Sequence, residues 1–190
     1  MAIAKDFIFF GRLCLDFAHT GDVGYGSASA FERLKSPADL NRWLTLSQLR
    51  LPGIRISNAD LRRARVLRGA IWRVASALVA RDVPVARDLR LINRTARHPG
   101  LVSQLTLDAQ AMRWNRPTIS AAIATLAQDS VRLFGDARQR ERIHRCENSG
   151  CQVIFYDDSR PGLRRWCAPN RCGDRMRARF YRERHQKRDS

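Results

Sequence analysis

The segment Cys146-Glu147-Asn148-Ser149-Gly150-Cys151, followed after fifteen residues by Cys167-Ala168-Pro169-Asn170-Arg171-Cys172, holds four of the five cysteines in the 190-residue sequence. Each pair has the spacing C-x4-C. Two such knuckles at this separation predict a site for one zinc ion, because four thiolates can surround a tetrahedral ion at about 2.3 Å. The predicted ligands are Cys146, Cys151, Cys167 and Cys172.

Two disulfides among these cysteines, or free thiols, are the alternatives to zinc. We expect no secretory signal and a cytoplasmic location, where the reducing environment disfavours disulfides. His144 is a further candidate ligand, but four thiolates already complete the shell. A closed four-ligand site leaves no position for water or substrate, so we do not expect an enzyme.

The residues between the knuckles predict a β-hairpin. The run 152–156 is β-branched and aromatic, residues 157–162 are typical of a turn, and residues 163–166 lead back to the second knuckle. Next, Asn170 can cap a helix over residues 171–188, which places Cys172 in its first turn. This order of elements is the treble-clef arrangement.

The predicted C-terminal helix has eight basic residues against Asp174 and Glu183. A basic helix fits the major groove of B-DNA but not that of A-form RNA, so duplex DNA is the expected partner. Arg164 and Arg165 are further candidate contacts, or else they balance the negative zinc centre. At about 100° per residue, one stripe of the helix contains Arg171, Arg175, Arg179, Arg182 and Gln186.

The second knuckle carries a family resemblance. Arg165-Trp166-Cys167, then Cys172-Gly173-Asp174-Arg175 and a basic helix, resembles the bacterial CGNR zinc finger, with Asp174 in place of the family's Asn. An Asp in a first helical turn is electrostatically favourable, so the resemblance still implies the same fold.

The N-terminal region carries a second resemblance. Leu13-Cys14-Leu15-Asp16-Phe17-Ala18-His19-Thr20 is similar to the L-x-L-D-F-x-N-T signature of the ABATE domain, which precedes this finger in the family; His19 replaces an Asn. The two matches cover nearly the whole chain. They imply a stress-related transcription regulator with a DNA-binding finger.

Composition points to a polyanionic partner. The formal charge is +17, from 35 basic and 18 acidic residues, and the isoelectric point is about 11.3. Nucleic acid is favoured over membrane, although a GC-rich genome would also enrich arginine. A second basic region, residues 62–97, has ten arginines against Asp82 and Asp88, and is either a solvated face or a second contact. No apolar run is long enough to span a membrane.

Hydrophobic periodicity predicts a mainly α protein with small β elements. An α-rich, ABATE-like domain is expected over residues 1–140 and the finger over residues 141–190. The charged segment 137–145 is predicted to be helical and to couple them. The expected elements of the first domain are helices starting near residues 37, 58, 84 and 117, a strand or short helix over residues 13–17, and a hairpin around Asp108.

Asp16 and His19 lie in an apolar run and suggest an organising or ligand-binding site in the first domain. We expect them to pack against the helix starting near residue 58, close to Arg65 or Arg68. Such a site would bind a small molecule or support homo-oligomer formation. Cys14 is expected to be an inert core thiol.

A redox or protein-interaction module is the alternative function. Zinc-bound thiolates can be oxidised, which would release the metal and change a partner surface. The basic helix has no role in this alternative, so a DNA-binding regulator is the preferred interpretation.

Overall fold

The computed structural model describes residues 7, 9–21, 32–148 and 150–186, and this part of the chain is mainly helical. None of its helices is both long enough and apolar enough to cross a membrane. The helices are α1 (Leu13–Ala18), α2 (Pro37–Leu46), α3 (Asn58–Ala80), α4 (Ala86–Ala96), α5 (Ile119–Gly135), α6 (Ala137–Arg140) and α7 (Asp174–Gln186). The strands are β1 (Ser103–Leu105), β2 (Met112–Trp114), β3 (Ile143–Arg145) and β4 (Ile154–Tyr156).

Local sequence signals set the starts of the long helices. Ser36 and Ser57 each cap a helix and form a capping box with the Asp three residues later, Asp39 in α2 and Asp60 in α3. Thr118 caps α5, so this helix begins after Pro117 and not at it. The predicted helices of the first domain are therefore confirmed, with small changes at their ends.

The core forms where α1, α3 and α5 meet. Helix α1 is buried along its whole length, and the ring of Phe17 packs on that of Trp43 with 5.0 Å between centroids. Asp129 of α5 accepts a hydrogen bond from the backbone N–H of Cys14 at 2.9 Å, which satisfies an amide in the first turn of α1. Cys14 has no exposed surface, as expected of a core thiol.

Strands β1 and β2 pair antiparallel around the turn at Asp108, as the sequence predicts, but they are short. The indole Nε1–H of Trp114 donates to the carbonyl oxygen of Leu49 at 2.7 Å, which fixes the hairpin to the loop after α2.

Two expectations about the finger are wrong. Segment 137–145 is not one helix: α6 ends at Arg140, and Ile143–Arg145 forms β3. In the hairpin, the partner of β4 is β3 and not residues 163–166. His144 of β3 lies opposite Phe155 of β4. Leu163 is 77% exposed, so a strand there would bury no apolar face, whereas Ile143 and Ile154 are both buried.

Candidate metal centre

The four cysteines of the two knuckles converge at one point. Their Sγ atoms all lie within 4.8 Å of one another. The Sγ atom of Cys167 is 3.8 Å from that of Cys151 and 3.7 Å from that of Cys172. A tetrahedral zinc ion with bonds of about 2.3 Å requires sulfur separations of about 3.8 Å, so these residues fit the metal.

The same distances contradict the disulfide alternative. A disulfide needs sulfur atoms about 2.0 Å apart, and none of the five cysteines forms one. His144 is not part of the metal-binding group found among the described residues. Its ring lies beside that of Phe155, with 5.9 Å between centroids.

Backbone hydrogen bonds and turns position three of the ligands. Cys146 directly follows β3, and its N–H donates to the carbonyl oxygen of Val153 at 2.9 Å, which closes the first knuckle. Cys151 follows the turn in this knuckle, where its N–H donates to the carbonyl oxygen of Asn148 at 2.7 Å. Cys172 lies in a π-helical turn, Pro169–Gly173, that leads into α7. The metal site therefore fixes the start of the basic helix.

Without a cation, the pKa values of two of the ligand thiols are raised. Burial raises the pKa of Cys146, although backbone N–H groups of Cys167 and Asn148 hydrogen-bond to it and lower it. The hydrogen bond with Cys151, followed by burial, raises the pKa of Cys167 far above its usual range. Metal binding must therefore displace protons from this cluster, and a divalent cation stabilises the thiolates that crowding otherwise disfavours.

Two side chains order the loop between β4 and the second knuckle. The carboxylate of Asp157, which is fully buried, accepts hydrogen bonds from the N–H groups of Ser159 at 2.9 Å and Arg164 at 2.8 Å. The guanidinium of Arg164 donates to the carbonyl oxygens of Trp166 and Cys167. Arg164 thus supports the zinc ligand Cys167 directly.

The metal centre packs against the N-terminal part of the chain. Phe10, which is 6% exposed, belongs to the same apolar cluster as Cys146, Cys167 and Cys172. Ile143 and Ile154, at the opposite side of the β3–β4 hairpin, belong to the main core. The hairpin is therefore wedged between the zinc ligands and the helical core.

Comparison with known families agrees with both halves of this architecture. Residues 11–137 match the family model for ABATE, described as "Putative stress-induced transcription regulator". The chain belongs to the ABATE family. Residues 142–185 match the CGNR zinc finger, so the four-cysteine site is the zinc-binding centre of this finger. A search of curated proteins finds no match to this chain.

The ABATE signature supplies the link between the two regions. His19 lies between the rings of Phe10 and Trp72, with centroids 5.0 and 5.4 Å away, and its Nε2–H donates to the carbonyl oxygen of Ile154 in β4 at 2.6 Å. Burial lowers the pKa of His19 to about 4, so the ring is neutral at pH 7. Through Trp72, His19 contacts α3.

Asp16 of the signature is 1% exposed. Its Oδ1 accepts a hydrogen bond from the N–H of Phe10, whereas Oδ2 has no partner among the described residues. Burial raises the pKa of Asp16 to about 7, against the backbone hydrogen bonds of Phe10 and Gly11, which lower it. Asp16 therefore positions the segment that carries Phe10 to the zinc cluster.

The arginines of α3 have other partners than Asp16. Arg68 forms an ion pair with Glu32, with Nη1 at 2.7 Å from Oε1, and Arg65 donates to the carbonyl oxygen of Leu34 at 3.0 Å. The expectation that Asp16 lies close to Arg65 or Arg68 is not supported by any hydrogen bond or ion pair among the described residues, because Glu32 provides the carboxylate for Arg68. The sequence contains no local signal for this pairing, since the two residues are 36 positions apart.

The predicted nucleic-acid residues fall into two groups. Arg175, Arg179 and Arg182 are exposed on α7, whereas the side chains of Arg171 and Gln186 lie outside the described part. Arg164 is engaged with the second knuckle, and Arg165 pairs with Glu147, with 2.6 Å between Nη2 and Oε2. Among the predicted DNA contacts with described side chains, Arg175, Arg179 and Arg182 are therefore the ones that lie on a helix beyond the metal centre.

Proposed function

We propose that the protein is a DNA-binding transcription regulator whose zinc-ordered helix α7 contacts duplex DNA. The observation that carries the proposal is the row of exposed arginines on α7, namely Arg175, Arg179 and Arg182. Residues spaced by three and four lie on one helical face, so these guanidinium groups can reach phosphates and base edges together. Ala178 lies on the same face and leaves room for close approach.

Charge balance at the metal centre does not explain Arg179 and Arg182. Four thiolates and one zinc ion carry a net charge of about minus two. Arg164, whose guanidinium bonds to the carbonyl oxygen of Cys167, already lies beside this charge. Arg179 and Arg182 are seven and ten residues after Cys172, so about 10 to 15 Å of helix separates them from it.

Helix geometry favours duplex DNA over duplex RNA. The major groove of B-DNA is wide enough for a helix, whereas that of A-form RNA excludes one. The overall charge of +17 would add a sequence-independent attraction to phosphates. In this proposal the ABATE region is the sensory or assembly domain, and the protein acts in the cytoplasm.

Replacing both Arg179 and Arg182 by Ala tests the proposal. If both contact phosphates, the variant should bind random duplexes more weakly, and its slope of log affinity against log salt should fall by about two. Fluorescence anisotropy of labelled duplexes with the zinc-loaded full chain measures both quantities.

The matched control replaces Arg55 and Arg113, two exposed arginines outside the finger, by Ala. This pair removes the same charge and should leave the slope unchanged. Equal effects of the two pairs would mean that only net charge matters, and would overturn the role of α7.

If Arg175 contacts a guanine, Arg175→Ala should reduce the preference for that base at one position of the DNA site by about 1 to 3 kcal/mol.

A redox-responsive module remains the second candidate, because Cys151 is the least buried of the four ligands. Oxidation would start at an accessible thiolate and release the metal. Zinc release by an amount of peroxide that leaves other zinc-tetrathiolate proteins intact would favour this function. Retention of the metal under that treatment would exclude it.

A further inference from the structure

A groove between α3 and α4 has no role in the metal centre or in the proposed DNA contact. It consists of two adjoining cavities of about 810 and 550 Å³ that share Val66, Leu91 and Arg94. Along α3 the lining runs from Ala59 to Arg73, a length of about 21 Å at 1.5 Å per residue.

The floor of the groove is aliphatic. Val66 is 57% exposed there, and Leu67, Leu91 and Ile123 complete the floor from three helices. Apolar surface concentrated in a groove, instead of scattered singly, is typical of a binding site.

The rim is strongly basic. Arg87, Arg90 and Arg94 lie along one stripe of α4, where like charges three and four residues apart destabilise the helix, and Arg97 follows as its C-cap residue. Among the described residues that line the groove, Asp88 is the one carboxylate, and it is already paired. The rim therefore favours an anionic occupant.

One rim arginine is held in place. Arg73 donates from Nε and Nη2 to the two carboxylate oxygens of Asp88, at 2.7 and 2.8 Å, and Asp88 is 2% exposed. A Cβ atom at residue 69 would lie 3.1 Å from Nη1 of Arg73, so Gly69 gives the guanidinium its space. This pair is neutral as a whole, so the charge that would attract an anionic occupant comes from the other arginines of the rim.

We propose that this groove binds an acidic amphipathic helix of a partner protein. Glutamates of the partner would pair with the arginine rim while its apolar side chains cover Val66 and Leu91, which is the helix-in-groove mode of recognition. A DNA backbone would match the rim but has no apolar group for the floor. A second copy of the chain matches the basic rim poorly, since it carries +17, and residues 22–31 contain one acidic residue.

The test uses a labelled synthetic peptide of about 15 residues with leucines on one helical face and glutamates on the others. Its binding to the zinc-loaded full chain is compared with that of a scrambled peptide of the same composition and of a random DNA duplex. We expect the amphipathic peptide to bind about tenfold more tightly than the scrambled one.

Val66→Asp places a charge on the floor at an exposed position, so it should fold, and it should weaken peptide binding about tenfold. The pair Arg90→Glu and Arg94→Glu should do the same, whereas Arg55→Glu with Arg113→Glu should have little effect. The inference does not depend on DNA binding by the finger, so Arg179→Ala with Arg182→Ala should leave peptide binding intact.

Three results would overturn the proposal. The first is that the amphipathic peptide does not bind, and the second is that it binds no better than the scrambled peptide, which would indicate nonspecific charge attraction. The third is that the groove variants lose DNA binding while peptide binding is unchanged, which would make the groove a nucleic-acid surface.

Discussion

Asp16 and His19 are two buried titratable residues, three positions apart, whose pKa values burial shifts in opposite directions. The pKa of Asp16 rises to about 7, and that of His19 falls to about 4. Each holds a backbone group: Asp16 accepts from the N–H of Phe10, and His19 donates to the carbonyl oxygen of Ile154. At the residue scale, the signature therefore fixes backbone positions next to the finger.

Asp16→Asn should change the pH dependence of stability. The folded-state pKa of Asp16 lies above its ordinary value of 3.8, so its favourable contribution is complete below about pH 4 and is lost as the pH rises through about 7. The free energy of unfolding of the variant minus that of the wild type should therefore increase with pH, by about 1 kcal/mol per unit between pH 5 and 7.

Urea denaturation of both zinc-loaded proteins at each pH measures this difference, and the subtraction removes contributions from His19 and from the metal. A difference that stays constant over this range would contradict the account of Asp16.

At the scale of elements, the capping boxes explain why the long helices start where they do. Ser57→Ala removes the side chain that accepts from the N–H of Asp60 at the start of α3, and should lower the free energy of unfolding by about 1 kcal/mol. Ser103→Ala, at an exposed position of β1, is the matched control and should change stability by less than about 0.5 kcal/mol. Equal effects in thermal or urea denaturation would show that the cap contributes nothing.

The elements that could be predicted from the sequence are those with local signals. Ser36, Ser57 and the apolar spacing of α3 mark helices without tertiary information, and cysteine spacing identifies the ligands. The partner of β4 could not be predicted, because residues 163–166 and Ile143–Arg145 are both short apolar and basic runs. Their burial, which decides the pairing, depends on the distant core.

In the candidate site too, local sequence signals predict some contacts and not others. The four ligands follow from sequence spacing, but Phe10 joins the zinc cluster from 136 residues before Cys146, and Glu32 reaches Arg68 across 36 residues. Periodicity describes neighbours along one element and cannot reveal such contacts. Asp157 has a detectable signal, since an Asp followed two residues later by Ser is typical of a turn held by side-chain bonds.

For the whole molecule, the packing predicts that the zinc site and the ABATE core are energetically coupled. Phe10 contacts the ligand cluster, while Ile143 and Ile154 of the finger lie in the main core. Zinc removal should therefore lower the melting temperature of the entire chain and not only of the finger, because it loosens the ligand side of the β3–β4 hairpin, whose other side lies in the main core.

Calorimetry with zinc and with a chelator, followed by zinc readdition, measures this coupling. We expect one transition in the zinc-loaded protein and a lower, broader one after chelation. Phe10→Ala should make the helical core less sensitive to the chelator. A helical core that melts at the same temperature with and without zinc would contradict the coupling.

The central claim is that a zinc-ordered helix α7 binds duplex DNA, and hydrogen exchange of the full zinc-loaded chain with and without a random duplex tests it most directly. Exchange reports how strongly each backbone segment is protected. The account predicts slower exchange over residues 171–186 when DNA is present, and loss of this protection in the Arg179→Ala, Arg182→Ala variant. Protection confined to α3 and α4, with residues 171–186 unchanged, would contradict it.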